Sequence, residues 1–276
     1  MENTTEKEIE IDYEPREWAQ EFLHGNPLRW KVFVVHRRAG KTTAALNHLQ
    51  RDALTIPNSR FAYIAPTYKQ AKLIAWDIIK QYSKDVIGTE YNETELSVKY
   101  YNGSRITLYG SDNPDSLRGI GLWGAVFDEY SQQPANIFSE IIRPALADHN
   151  GYAIWIGTPQ GKNEFYRLYQ KGKSNQPDWF SVLLSVDYTH LISDNELISA
   201  KHSMSADEFN QEFYCSFEAA VKGSIYGLEI AEARKAGRIK SVPYDREALV
   251  HTSWDIGVGA NLAVGFYQRV ANEIHK

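Results

Sequence analysis

The sequence has little sulfur and no long apolar segment. Its single cysteine, Cys215, excludes a disulfide scaffold and a CxxC-type metal site, and it suits a reducing compartment. No window approaches the roughly 18 consecutive apolar residues of a membrane span, and no basic flank precedes an apolar stretch at the N-terminus, as a signal peptide requires. With 43% hydrophobic residues among 276, the chain can bury a core. These features predict a soluble intracellular protein.

Positive charge is not in excess either, because the net charge is -5 at pH 7. Residues 1–21 hold eight carboxylates against two cations, a net of -6, which leaves +1 for residues 22–276. Little apolar periodicity precedes Trp18, so residues 1–21 are predicted to form an acidic, partly ordered arm. A nearly neutral body can still carry a local basic groove. The charge therefore neither requires nor excludes a nucleic-acid partner.

Short apolar runs alternate with segments of helical spacing beyond the arm. We predict strands over 31–35, 61–65, 124–127, 152–156 and 180–186, helices over 42–54 and 68–82, and a hairpin of 96–101 with 105–109. This alternation predicts an α/β fold with a mainly parallel sheet covered on both faces. The predicted units are a main domain over 22–220, a linker over 221–247 and a new strand pattern over 248–276.

The segment between the first predicted strand and its helix carries the first chemical motif. His36–Thr42 ends in the Gly-Lys-Thr of the phosphate-binding loop G-x-x-x-x-G-K-[ST], although Val35 replaces the first glycine. Such a loop points N–H groups and a helix N-terminus at phosphates. Lys41 would reach the β- and γ-phosphates, and Thr42 would ligate Mg²⁺. The alternative is a basic turn that caps a helix. The residues predicted to bind ATP here are His36, Arg37, Arg38, Ala39, Gly40, Lys41, Thr42 and Thr43.

A second apolar strand ends in two carboxylates, Asp128 and Glu129. Asp128 would hold Mg²⁺ through water, and Glu129 would polarise the attacking water. The alternative is an ordinary acidic turn, but a double-carboxylate ending is typical of mechanical or DNA-processing ATPases. A third strand precedes Thr158, whose hydroxyl would contact the lytic water or γ-phosphate and couple hydrolysis to movement. The alternative for this Gly-Thr-Pro segment is a simple turn.

These motifs, in this order, resemble the large terminase subunit of tailed bacteriophages, the ATPase that pumps DNA into proheads. The matching segments, from about Glu14 onward, are 36–42, 63–70, 116–119, 126–129, 157–161, Asn163, 165–166 and 211–213. The resemblance implies a RecA-like P-loop NTPase (ASCE) fold with a lid over about 187–219. The aromatic neighbours Phe213, Tyr214 and Phe217 predict that Cys215 is a buried residue in a lid helix. The resemblance implies that Lys41 and Thr42 bind ATP and metal, that Asp128 and Glu129 are the acidic pair, and that Thr158 belongs to the coupling motif.

The resemblance also bears on two arginines and on the base of the nucleotide. Arg37 matches an arginine proposed to stabilise charge in its own subunit, and Arg118 one proposed to complete a neighbour's site. A salt bridge or a DNA-phosphate contact is the alternative for each, and the sequence does not decide between them. The segment from Tyr13 to Gln20 resembles the adenine-contacting region, where Gln20 would read the base edge. The alternative is an acidic arm with one aromatic anchor.

The segment 251–257 resembles the first strand of the terminase nuclease domain, an RNase H-like fold. Asp255 matches the first of several carboxylates that hold two divalent metals for endonuclease chemistry. About 21 residues follow Asp255, whereas such a domain needs well over about a hundred. We therefore expect an incomplete metal site and no nuclease activity. The alternative is a buried aspartate at a strand end.

The leading interpretation is ATP-driven translocation of double-stranded DNA during packaging. One alternative is a DNA or RNA helicase-like ATPase, which would need a second core of similar size after residue 220. Another is a non-catalytic nucleotide-binding subunit, in which Glu129 would have no use. The resemblance further implies a portal protein and a small terminase subunit as partners, a homo-oligomeric ring on the prohead, and the host cytoplasm rather than a membrane.

Overall fold

Two units make up the chain in the computed structural model, residues 1–222 and 223–276. The structure describes residues 11–218, 230, 232–233, 236–239, 244–256, 262–270 and 273–275. None of the helices in these ranges combines the length and the apolar character that crossing a membrane requires. The division between the units falls inside the segment predicted as a linker.

The first unit is built on an eight-stranded sheet. Its strands are β1 Trp30–Val35, β2 Arg60–Ala65, β3 Glu90–Asn92, β4 Ser97–Lys99, β5 Arg105–Gly110, β6 Gly124–Asp128, β7 Tyr152–Gly157 and β8 Trp179–Leu184. Their order is β3-β4-β5-β2-β6-β7-β1-β8. Every neighbouring pair from β5 to β8 is parallel, whereas β3, β4 and β5 pair antiparallel. The predicted α/β fold and the predicted hairpin are both confirmed.

Helices cover both faces of this sheet. They are α1 Lys41–Thr55, α2 Tyr68–Ala71, α3 Asp77–Ser83, α4 Arg143–Ala145, α5 Glu164–Lys173, α6 Val186–Thr189, α7 Asp194–Ser203 and α8 Ala206–Tyr214. Shorter helical turns lie at Ala19–His24, Lys72–Trp76, Pro114–Leu117, Tyr130–Gln132 and Phe138–Ile142. Instead of the single helix predicted over 68–82, the structure has α2 and α3 joined by the π-helical turn Lys72–Trp76. That turn places the consecutive residues Ala75 and Trp76 both in the core.

Two apolar cores lie on the two faces of the sheet. Residues of β1 alternate between them, with Phe33 and Val35 in the core under α1 and Val32 and Val34 in the opposite core, to which α5 contributes Phe165. All six residues of β1 are buried because the strand is central and parallel. The buried strand therefore holds its carboxyl end, where the phosphate-loop motif begins, in a fixed place.

The helices α6, α7 and α8, in the segment predicted to be a lid, share a third, smaller apolar cluster. Val186, Ala200, Phe209 and Phe213 form it. Cys215 is buried as predicted, but it lies one residue beyond α8, in a left-handed conformation (φ 57°) that ends the helix. The lid segment thus has a core of its own.

The second unit contains an antiparallel sheet of β9 Val250–Ile256, β10 Leu262–Val270 and β11 Glu273–His275, in the order β11-β10-β9. Asp255 lies near the end of β9, opposite Ala263 of β10, and its side chain is exposed. In the described part of the chain, no group of three or more His, Cys, Asp or Glu side chains is placed to hold a metal. The assignment of Asp255 to a nuclease site stays a prediction.

Candidate nucleotide-binding site

The three motifs predicted from the sequence meet at one edge of the large sheet. The phosphate loop follows β1, the acidic pair ends β6, and Thr158 follows β7. In the sheet β7 lies between β1 and β6, so all three carboxyl ends are neighbours. Crevices outside the carboxyl ends of parallel strands are where α/β proteins bind ligands. The sheet order therefore assembles the site from segments far apart in sequence.

The phosphate loop wraps around the amine of Lys41. This amine donates to the backbone oxygens of Val35 (3.1 Å) and His36 (3.2 Å) and lies 3.9 Å from Oε1 of Glu129. Gly40 has φ 78°, a conformation that glycine adopts without strain, and α1 begins at the next residue. A buried cation at the N-terminus of a fifteen-residue helix is suited to bind phosphate.

The carboxylate of Asp128 accepts three hydrogen bonds, and the residue is only 3% exposed. The hydroxyls of Thr42 and Tyr63 both donate to Oδ2, each at 2.6 Å, and the backbone N–H of Glu129 donates to Oδ1 at 2.9 Å. Thr42 and Asp128 thus present adjacent oxygen ligands of the kind that Mg²⁺ prefers. Mg²⁺ is usually bound by one or two such protein groups together with phosphates. The residues present fit a magnesium ion that arrives with a nucleotide.

Glu129 has an unusual backbone and an unusual environment. Its φ of 48° and ψ of 47° are left-handed, a strained conformation for a residue with a side chain. The N–H and the hydroxyl of Thr158 donate to its Oε2 at 3.5 and 3.4 Å. Burial raises the pKa of Glu129, and Asp128 raises it further, whereas Lys41 opposes the shift. Strain and a perturbed carboxyl at one position are typical of a functional residue.

His36 faces the lid. Its Nδ1 lies 2.6 Å from the backbone oxygen of Arg37, and its Nε2 lies 2.6 Å from the hydroxyl of Thr189 in α6. Because a carbonyl oxygen only accepts, we assign the hydrogen to Nδ1 and the donor role to the Thr189 hydroxyl. Burial lowers the pKa of His36, which favours this neutral ring. The side chain of His36 joins the loop to α6, and its backbone N–H donates to the Leu184 oxygen at 3.1 Å. The role of His36 in ATP binding stays a prediction.

The two arginines occupy different surroundings. Arg37 is exposed on the phosphate loop, and its N–H donates to the backbone oxygen of Glu212 in α8 at 2.9 Å. Arg118 pairs through Nε with Oδ1 of Asp115 at 2.9 Å and lines a separate cavity of about 280 Å³. Arg37 is part of the loop, whereas no hydrogen bond or ion pair in the described part of the chain joins Arg118 to the loop, the acidic pair or Thr158.

Residues 11–21, predicted to belong to an acidic arm, contact the phosphate loop. Arg16 donates to the backbone oxygen of Arg38 at 2.9 Å, and the indole of Trp18 donates to that of Ala39 at 3.1 Å. A cavity of about 210 Å³ beside Gly40 offers room for a base. It is lined by Tyr13, Glu14, Arg16, Trp18, Ala19, Gly40, Thr43, Ala44 and Tyr82.

Gln20 lines a neighbouring cavity of about 600 Å³, formed with Asn47 and Arg51 of α1. Tyr13 borders both cavities. The role of Gln20 at adenine stays a prediction.

Sequence reasoning gave no role to Tyr63 and Tyr82. The position of Tyr63 inside a strand predicted to be buried could have indicated its contact, since a buried phenol needs a hydrogen-bond partner.

A strand, a phosphate loop and a helix, opposed by an acidic pair two strands away, define a P-loop NTPase-like α/β protein. Residues 32–232 match the family described as "Terminase large subunit, T4likevirus-type, N-terminal". The chain belongs to this family, as its motifs predicted.

Known relatives agree with this assignment. The large terminase subunit of Thermus phage G20c is 28% identical over 181 residues, which are 59% of this chain and 37% of that protein. The ATPase domain of the large terminase of Thermus phage P74-26 matches with a TM-score of 0.66 and 24% identity, covering 75% of this chain and 95% of that one. The large terminase of bacteriophage D6E in complex with ADP matches with a TM-score of 0.63 and 15% identity, covering 93% and 65%. The chain thus spans about a third of the length of the curated relative, and the structures share its fold.

Proposed function

We propose that this chain is the ATP-hydrolysing motor subunit that translocates double-stranded viral DNA into a prohead. The observation that carries the proposal is the meeting of Lys41, the acidic pair and Thr158 at one sheet edge, in a chain of the large-terminase family. The ADP complex of the D6E terminase supports a nucleotide as the ligand. A glutamate beside the phosphate loop favours hydrolysis over mere nucleotide binding.

The residues of the site would divide the reaction between them. Lys41 and the loop N–H groups would bind the phosphates, and Glu129 would orient and deprotonate the attacking water. Burial that raises the pKa of Glu129 also makes its carboxylate a better proton acceptor. Thr158, which donates to Glu129, would fix the direction of that carboxylate. Mg²⁺, held by Thr42 and through water by Asp128, would neutralise charge on the phosphate oxygens.

An arginine would complete the stabilisation of charge on the transferred phosphoryl group. Arg37 stands on the loop of the same chain. Arg118, which pairs with Asp115 in its own chain, would act on the site of a neighbouring subunit, as a homo-oligomeric ring on the prohead would allow. The same proposal includes the portal protein and the small terminase subunit as partners and the host cytoplasm as the location.

Movement would pass from the phosphate loop to the lid. Two hydrogen bonds already join them, His36 to Thr189 and the Arg37 N–H to the Glu212 oxygen. A change at the γ-phosphate that shifts the loop would pull on α6 and α8 together. The movement of the lid would then be transmitted to the bound DNA.

ATP hydrolysis by the purified chain, measured with and without linear double-stranded DNA, tests the proposal. We expect Mg²⁺-dependent hydrolysis that DNA stimulates. Glu129→Gln should lower turnover about 10²–10⁴-fold while nucleotide still binds. The matched control is Glu90→Gln, which should turn over normally, since Glu90 of β3 forms a surface ion pair with Lys99 of β4. Normal turnover in Glu129→Gln would contradict the assignment.

A further inference from the structure

Tyr63 is a fully buried tyrosine next to the acidic strand. It lies in the middle of β2, opposite Val126 of β6, and none of its surface is exposed. Its hydroxyl lies 2.6 Å from Oδ2 of Asp128, the same oxygen that Thr42 contacts. The phosphate-loop motif and the acidic pair do not include it.

The hydrogen bonds that the Asp128 carboxylate accepts show what Tyr63 contributes. Oδ1 is engaged by the Glu129 N–H, and Oδ2 accepts from both Thr42 and Tyr63. The Thr42 hydroxyl has one hydrogen and donates it to Asp128, so its oxygen lone pairs stay free for a cation. Without Tyr63, only the Thr42 hydroxyl would hold Oδ2, and Thr42 is itself a candidate metal ligand.

We propose that Tyr63 is a positioning residue that fixes the Asp128 carboxylate and thereby sets the affinity of the site for the divalent cation that accompanies the nucleotide. This inference rests on the proposed nucleotide site. Groups that orient metal ligands in this way typically change metal affinity about 10–100-fold when removed.

The chain offers a matched control. Tyr152, the first residue of β7, donates its hydroxyl to Oδ2 of Asp52 at 2.7 Å. Tyr63→Phe and Tyr152→Phe each remove one phenol oxygen that is bonded to a carboxylate. Tyr152 lies at the amino end of its strand, whereas the nucleotide motifs follow the carboxyl ends.

The experiment measures binding of a fluorescent ATP analogue to the full chain, first in EDTA and then across a Mg²⁺ titration. We expect Tyr63→Phe to bind the analogue normally in EDTA and to need about 10–100-fold more Mg²⁺ for half of the Mg²⁺-induced tightening. Tyr152→Phe should match the unchanged protein in both conditions. A Tyr63→Phe titration that matches the unchanged protein would overturn the proposal, as would an equal loss of binding with and without Mg²⁺.

A second pair of variants guards against a folding failure. Asp128→Asn removes the carboxylate that Tyr63 holds, and the double variant with Tyr63→Phe leaves no unpaired buried charge. Because Tyr63 acts through that carboxylate, both should show the same Mg²⁺ dependence. A further weakening in the double variant would overturn the proposal. If the unchanged protein binds the analogue with Mg²⁺ but does not hydrolyse ATP, the proposed function fails while the Tyr63 inference is still testable by binding.

Discussion

Two polar networks lie at opposite ends of α1 and are built from the same chemical groups. At the carboxyl edge of the sheet, Asp128 accepts from Tyr63 and Thr42. At the amino edge, Asp52 accepts from Tyr152 at 2.7 Å and pairs with Arg51 at 2.9 Å. Each network places a tyrosine hydroxyl on a carboxylate. Hydrogen bonding alone therefore does not distinguish a functional carboxylate from a structural one.

Their surroundings differ in charge and in strain. Asp52 is compensated by Arg51, while His48 stands 3.8 Å away. Asp128 is followed by a second carboxylate, Glu129, whose backbone is left-handed and whose pKa burial raises. Adjacent like charges and backbone strain lower the free energy of unfolding. Such features are typical of ligand-binding and catalytic sites. The comparison shows that the unfavourable features lie at the end of α1 that carries the candidate site.

The largest effect should separate the two aspartates. Asp128→Asn should lower ATP turnover by about 10²-fold or more, because the charge that would face Mg²⁺ is lost. Asp52→Asn should leave turnover within about twofold. It should lower Tm by roughly 2–10 °C, since a lost charged partner costs about 1–3 kcal/mol. Steady-state ATPase rates and thermal unfolding of both variants are the measurements. Equal losses of turnover would break the distinction between the two networks.

A smaller effect should separate two threonines. Thr189→Val removes the hydroxyl that joins the lid to His36, and we expect turnover to fall by roughly three- to tenfold with nucleotide affinity nearly unchanged, as for loss of one hydrogen bond of about 1 kcal/mol. Thr55→Val is the control, because its hydroxyl donates to the Arg51 oxygen at the far end of α1. Turnover and analogue binding are measured for both. An unchanged rate in Thr189→Val would remove this bond from the coupling route.

The smallest effect concerns pH and His24, whose Nδ1 lies 3.2 Å from Nδ1 of His48 in the network at the amino edge. Burial lowers the pKa of His24 to about 4, with Arg51 lowering it further and Asp52 opposing. The unfolded chain, with a His pKa near about 6.5, binds the proton more readily. The contribution of His24 to stability is therefore complete above about pH 6.5 and falls as the pH drops toward about 4.

The measurement is thermal unfolding between pH 4.5 and 7. We expect Tm to fall by about a few degrees as the pH drops across this range. His24→Asn should flatten the dependence, and His202→Asn, on the exposed end of α7, should not. His48 remains in both variants, and burial lowers its pKa too, so some dependence should persist. An unchanged slope in His24→Asn would show that His24 does not couple protonation to folding.

Local patterns carried much of the fold and of the site. Two strands could be predicted from the sequence: the run 31–35 ahead of Gly40-Lys41-Thr42 and the apolar run that ends at Asp128. Both are visible because a buried strand and the loop after it are encoded by residues that are neighbours in sequence. The helix over 68–82 was predicted without its π-helical turn, because that turn depends on which side chains the core accepts.

The sequence by itself determined the parallel sheet, the phosphate loop and the acidic pair. Tertiary structure alone decided that β7 separates β1 from β6 and that Tyr63 reaches Asp128 65 residues later. It also decided that His36 bonds to Thr189, 153 residues further on. The physical reason is that motifs depend on local spacing, whereas a buried hydroxyl or imidazole takes whichever partner the order of strands brings within about 3 Å.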